Sequence, residues 1–274
     1  MDWAFTEGCR LVSQAHVAAS SQGTSIANSL NAKPGTPTQL VASTAFDAVG
    51  IAIQVTEQTT ATSALLDIMA GASTAESVLI PDMLSSVATG AEAGVAYFFP
   101  IFIAQGTRLS ARAAMSTAGT IRINAHLLQG SFGASPFSRV TAYGADVSTS
   151  KGTTIDPGAT ANTKPALPAT QLVASTGQPI RLMTVACGDN GIFVRTPAAN
   201  GLLDIYAGAG SSEYALADNI AISFGTSKDQ WVPKVPIGNV PIYVPVGTRL
   251  SARMQCSGTD ATERATDVVV YGVS

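Results

Sequence analysis

Apolar and polar residues alternate with a period of two along much of the chain. Across Gly50–Thr56 the side chains of Ile51, Ile53 and Val55 fall on one face of an extended segment. Successive side chains of a strand point to opposite faces, so this pattern predicts a half-buried β-strand. Dense apolar runs at Tyr97–Ile103 (YFFPIFI) and Val240–Val244 (VPIYV) predict further strands, half-buried or fully buried, as do Thr120–Leu128 (TIRINAHLL) and Asp267–Val273 (DVVVYGV). Gly, Ser and Thr turns separate them. Thr74–Ala88, interrupted at Pro81, is the best candidate for a short helix or turn. Short strands with punctuated turns predict an all-β chain of antiparallel β-sandwiches, with jelly-roll connectivity favoured over immunoglobulin-like connectivity.

The pattern is written twice. GTRLSAR spans Gly106–Arg112 and returns at Gly247–Arg253; TQLVAST spans Thr38–Thr44 and returns at Thr170–Thr176. LLDI spans Leu65–Ile68 and returns at Leu202–Ile205, and SQGTSI at Ser21 is echoed by SKGTTI at Ser150. The offset grows from 129 to 141 along the chain, so loops differ in length while strands stay recognisable. A period this long lies far beyond solenoid repeats, and each copy is expected to be a domain with its own core. The expected domains are two tandem homologous β-sandwiches, 1–132 with an N-terminal arm and 133–274 with an internal arm, joined near Gln129–Ser138. Lys33-Pro34 before Pro37 matches Lys164-Pro165 before Pro168, which makes these segments homologous loops inside each copy. An arm of about 35 residues then precedes each TQLVAST, to be ordered by the sandwich or by a neighbouring subunit. Pro100 and Pro241, each six residues before the Gly of GTRLSAR, lack a ladder donor and mark edge or bulge positions.

Composition narrows the function classes. Charged residues make up only 12% of the 274, about half the usual share, a balance that suits a surface covered by other subunits. The net charge is −3 without a Lys/Arg cluster, so no basic footprint for direct nucleic-acid binding is present. No apolar stretch is long enough for a membrane-spanning helix, and MDWAFTEGCR lacks the charged and apolar regions of a secretory signal. Cys9, Cys187 and Cys256 do not sit at matching positions of the two copies, which excludes a disulfide common to both and suits free thiols.

In GTRLSAR the glycine permits a tight turn and the rest alternates. Arg108, Ser110 and Arg112 share one face opposite Leu109 and Ala111, and Arg249, Ser251 and Arg253 repeat the arrangement. Forked donors at this spacing could clamp a carboxylate-bearing partner; pairing inside the chain with Asp67 and Asp204 of the LLDI segments is the favoured expectation. These six residues, Asp67, Arg108, Arg112, Asp204, Arg249 and Arg253, are the structural or interface candidates. Catalytic, cofactor-binding and metal-binding residues are all expected to be none. Neither His16 nor His126 is duplicated, GxSxG and CxxC are absent, and the Ala-Gly-Ala turn after LLDI lacks the pattern of a phosphate loop. Glu76 and Asp82 are the carboxylates expected to approach one another. The aromatic residues, among them Trp3, Trp231, Tyr97, Phe98, Phe99, Phe102, Tyr206, Tyr214 and Tyr243, leave a carbohydrate-stacking surface open as a ligand class.

Small-residue-rich β domains carrying an apolar strand and then GTRLSAR-like text, at Phe99–Arg112 and Val240–Arg253, resemble accessory structural proteins of tailed bacteriophages. The resemblance implies a non-enzymatic virion protein, such as a capsid decoration or a tail or neck component, made in the host bacterial cytoplasm. It implies capsid or tail subunits as partners, a symmetric homo-oligomer and no cofactor. A host-glycan-binding module is the alternative, and a carbohydrate-active enzyme the less favoured one.

Overall fold

A computed structural model describes residues 10–13, 23–59, 62–87, 95–130, 137–189, 199–224, 237–258 and 265–274. Among them every regular element is a strand. The first copy contains β1 (Arg10–Ser13), β2 (Thr24–Ser25), β3 (Ala27–Leu30), β4 (Thr38–Val41), β5 (Gly50–Gln58), β6 (Thr62–Ala70), β7 (Ser77–Val87), β8 (Val95–Phe99), β9 (Leu109–Met115) and β10 (Ile121–Gln129). The second contains β11 (Val140–Tyr143), β12 (Ala145–Asp146), β13 (Lys151–Ile155), β14 (Thr170–Val173), β15 (Ile180–Asp189), β16 (Ala199–Ala207), β17 (Tyr214–Phe224), β18 (Ile237–Val244), β19 (Leu250–Cys256) and β20 (Thr266–Val273).

Each copy forms two sheets. In the first, one sheet runs β1-β10-β5-β8, with β2 also on β10, and the other runs β3-β9-β6-β7, with β4 also on β9. The second copy repeats this order as β12-β13-β20-β15-β18, with β11 on β20, facing β14-β19-β16-β17. Pairing is antiparallel except for β3, which lies parallel to β9. The fold class is therefore all-β, of antiparallel β-sandwiches. Parts of both arms lie on the sandwich: β2 and β13 add to β10 and β20, while Asn31 and Asn162 donate their N–H groups to Met115 and Cys256.

Two local expectations are corrected. The helix candidate is strand β7, which runs antiparallel to β6 through Leu65–Leu84 and Leu66–Met83 pairs. Pro81 falls where the register shifts, next to Asp82 at φ 52°, so a β-bulge absorbs the missing donor where a helix would lose its bond. The apolar run at Tyr97–Ile103 is not one strand either. β8 ends at Phe99 before Pro100, and Ile103 makes a separate bridge to Ala48. Pro241, by contrast, lies within edge strand β18, between two register shifts. Gly106 and Gly247 both take φ +82° at the turn into β9 and β19, a conformation that favours glycine.

The copies differ most in how their first sheets are covered. In β10 burial alternates, with Ile121, Ile123, Ala125 and Leu127 inside and Arg122, Asn124 and His126 half-buried on the outer face. All eight residues of β20 are buried. Val268 and Val270 fill the second sandwich, while Val269, Tyr271 and Val273 join the core of the first. The second copy's sheet thus lies between its own partner sheet and the first sandwich. Tyr271 seals the junction. Its ring meets Tyr97 and Phe99 edge-on at 5.6 and 5.7 Å, and its hydroxyl accepts from the Leu84 N–H at 2.8 Å and donates to the Asp82 carbonyl at 2.7 Å.

Candidate functional site

The six arginine and aspartate candidates gather on the outer face of the β9-β6-β7 sheet and of its counterpart β19-β16-β17. β9 and β19 turn Leu109, Ala111, Leu250 and Ala252 into the cores, which leaves the arginines on the other side of each strand. Register then sets Asp67 across from Arg112, and Asp204 across from Arg253. Arg112 Nε reaches Asp67 Oδ2 at 3.2 Å, and Arg253 Nε lies 3.6 Å from Asp204 Oδ2.

The other two arginines have different acceptors from those expected. Arg108 pairs with Glu76 and Arg249 with Glu213, while the Nε of each reaches a TQLVAST glutamine, Gln39 at 3.3 Å and Gln171 at 3.2 Å. The reason is position: Arg108 and Arg249 sit at the strand entries, nearer the turns carrying Glu76 and Glu213 than the strand centres carrying the aspartates. Glu76 and Asp82, proposed neighbours, serve separate cations, Arg108 and Lys33.

A third cation completes each cluster. Lys33 Nζ donates to Asp67 at 2.5 Å and also to Asp82; Lys164 Nζ donates to Asp204 at 2.5 Å and to the Asn219 side chain at 2.8 Å. Asp82 and Asn219 occupy the same bulge at φ 52° and 55°, and their N–H groups donate to Asp67 and Asp204 at 3.0 and 2.9 Å. Arg112 and Arg253 donate in turn to the Pro34 and Pro165 carbonyls. The Lys-Pro pair of each arm is thereby held against the sheet by its ammonium and its carbonyl. The lysines and Gln39 and Gln171 were missed as members of the cluster, although Lys-Pro and TQLVAST both repeat in the sequence.

Electrostatics fit a set of groups held charged. Burial alone pushes the Asp204 carboxyl up, but the Asn219 N–H, the Lys164 ammonium and the Tyr206 hydroxyl outweigh it, and the net shift is downward. Glu213 follows the same course, burial being overcome by Ser251, the Ala169 N–H and Arg249. Burial, and then the neighbouring Asp204 carboxylate, raise the Tyr206 hydroxyl, whose ring lies 5.0 Å beneath the Arg253 guanidinium. An open depression of about 370 Å³ adjoins the first cluster, lined in part by Pro37, Met69, Glu76, Arg108 and Arg112. Its two arginines already face Glu76 and Asp67.

The remaining candidates scatter. His126 lies half-buried on β10; His16, Cys9, Trp3 and Trp231 lie outside the described residues. Cys187 and Cys256 are free thiols, and burial pushes Cys187 up to about 12. Tyr97, Phe99 and Tyr206 are buried, whereas Tyr214 and Tyr243 are 51% and 62% exposed. Among the described residues no group of His, Cys, Asp and Glu has a metal-holding arrangement, and no helix is long and apolar enough to cross a membrane.

No family model and no curated protein matches the chain. Among solved structures it is similar to PNGase F, a glycosylasparaginase from Flavobacterium meningosepticum, with 9% identity, a TM-score of 0.35 and coverage of 96% of this chain and 93% of that one. PNGF-II gives 8% identity and a TM-score of 0.38 over 86% of this chain, which spans only 59% of PNGF-II. The STIV MCP gives 9% identity and a TM-score of 0.33 over 96% of both chains.

Proposed function

We propose that the chain is a non-enzymatic structural subunit of a virion, a capsid-surface, neck or tail component that docks through its β domains. The observation that carries this reading is the fusion of two like sandwiches into one block, in which the duplicated charged clusters clamp loops to sheets. The arrangement of β2, β10, β5 and β8 facing β4, β9, β6 and β7 supports a jelly-roll reading, an architecture used by viral capsid and lectin domains. Fold alone does not assign function. The further support is chemical: the duplicated acidic groups are engaged by cations and backbone donors inside the chain. A low share of charged residues suits surface shared with other subunits, where many weak contacts add up.

The test is incorporation. A tagged chain expressed in an infected host is expected to co-purify with particles through a density gradient and to resist a salt wash. Its absence from purified particles would overturn the reading. Glycan-array binding lost on Tyr243→Ala would move the function to host recognition, since Tyr243 is an exposed aromatic beside the Arg181 guanidinium at 5.9 Å.

A further inference from the structure

The junction inside the chain has two halves, and duplication supplies a spare of each. On the first sandwich the receiving surface is edge strand β7 with the outer face beside it, where Leu65, Leu84 and Ala114 are fully or almost fully buried. On the second sandwich the inserting surface is the outer face of β20 and β15, carrying Ala186, Val269 and Tyr271.

Strand register identifies the spare halves. Leu65 pairs with Leu84 as Leu202 of the second LLDI pairs with Ala221, which makes β17 the counterpart of β7. A further check is the Ser63 N–H donating to Ser116 Oγ, which recurs as the Asn200 N–H donating to Ser257 Oγ. The vacant counterpart of the receiving surface is a depression of about 370 Å³ lined by Asn200, Leu202, Ala221, Ser223 and Gln255 among others. Ala221 is exposed there, where Leu84 is 2% exposed. On the inserting side, Thr24 pairs with Ile123 as Thr153 pairs with Val268. His126 then stands where Tyr271 stands, Asn124 where Val269 stands, and Gln54 where Ala186 stands.

We propose that the chain self-associates head to tail, the β10–β5 outer face of one molecule docking in the Ala221 groove of the next. The inserting side turns polar, and the groove side becomes smaller and gains one polar residue. The internal junction brings Leu65 and Leu84 into one core with Ala186, Val269 and Tyr271; in the spare halves Leu202 and Ala221 replace the two leucines, Gln255 replaces Ala114, and Gln54, Asn124 and His126 replace the inserting residues. Smaller and more polar side chains suit a reversible contact between chains, as larger apolar ones suit the permanent junction within one. His126 suits Tyr271's place, because its ring nitrogens offer hydrogen-bonding groups where the tyrosine hydroxyl meets Leu84 and Asp82. Such a contact is heterologous and generates rings or filaments.

The inference deepens the reading as an assembly subunit and rests on it for its biological sense. Its test is separate: sedimentation velocity of the purified chain over a range of concentrations. The parent is expected to shift to larger species as concentration rises. Ala221→Arg and Gln54→Arg, both at exposed positions, are each expected to remain monomeric with unchanged circular dichroism. Mixed in equal amounts, they are expected to form dimers and nothing larger, because each retains the half the other has lost. A monomeric parent, association untouched by both substitutions, or a mixture that stays monomeric would each overturn the head-to-tail contact. Particle incorporation by a chain that never self-associates would remove this inference and leave the virion reading standing.

Discussion

The same serine in the repeated GTRLSAR has two fates. Ser251 donates to the buried Glu213 carboxylate, whereas the Ser110 hydroxyl is fully buried and finds no partner among the described residues. A buried hydroxyl without a partner contributes no hydrogen bond to offset its desolvation. Ser251→Ala should therefore cost about 1–3 kcal/mol, and Ser110→Ala should leave stability unchanged or raised, as read by urea unfolding. Arg249→Ala should lower Tm by roughly 5–10 °C, by removing charge-assisted hydrogen bonds to Glu213 and the Ala169 carbonyl. Exchanging the charges in Arg249→Glu/Glu213→Arg should recover part of that loss; recovery with Asp204 as the exchanged partner would instead restore the pairing that the sequence suggested. Acid should also weaken the fold. Asp204 and Glu213 bind protons less readily when folded, so their contribution is present above the ordinary values of 3.8 and 4.5. It is lost as pH falls through those values toward the lower folded ones. A Tm that stayed level between pH 6 and pH 3 would contradict this.

At the scale of elements, period-two patterning located strands wherever a single face is buried, as in β5 and β10. It misled where a bulge interrupts the pattern. Pro81 reads as a helix breaker in an apolar segment, but the αL residue after it lets β7 bend and continue beside β6. The second copy offers Asn219 at the same φ without a preceding proline, and that comparison was the available signal. The acceptors of Arg108 and Arg249 were illegible for a different reason: alternation gives the face of a strand but not which turn folds over it. Close approach between strands was equally hidden. A Cβ on Gly152 would come within 2.8–2.9 Å of the Val268 backbone, so Gly152→Ala should force β13 off β20. The expected readout is faster amide exchange along Thr153–Ile155, with β14 and β19 unaffected.

Across the whole molecule, the repeat announced two sandwiches but not how they join. The joining surface is nonetheless written in a strand where the copies disagree in period: DVVVYGV is apolar on both faces, and its counterpart in β10 alternates. A strand buried on both faces must lie between two layers, and the layer beyond β20 is the first sandwich. The core of that sandwich borrows Val269, Tyr271 and Val273 from the second, so neither copy can unfold without uncovering the other. Intact chain should melt in a single cooperative transition whose calorimetric and van't Hoff enthalpies agree. Tyr271→Ala should split or broaden it, because the mutation removes the ring between Tyr97 and Phe99 and leaves the Leu84 N–H without its hydroxyl partner. Tyr271→Phe separates the two effects: the ring remains, the transition stays single, and only the midpoint falls, because the Leu84 N–H and the Asp82 carbonyl both lose the hydroxyl, each at a cost of about 1–3 kcal/mol. Two resolved transitions in the parent would show that the sandwiches are strung together and not fused, and would remove the template from which the intermolecular contact is drawn.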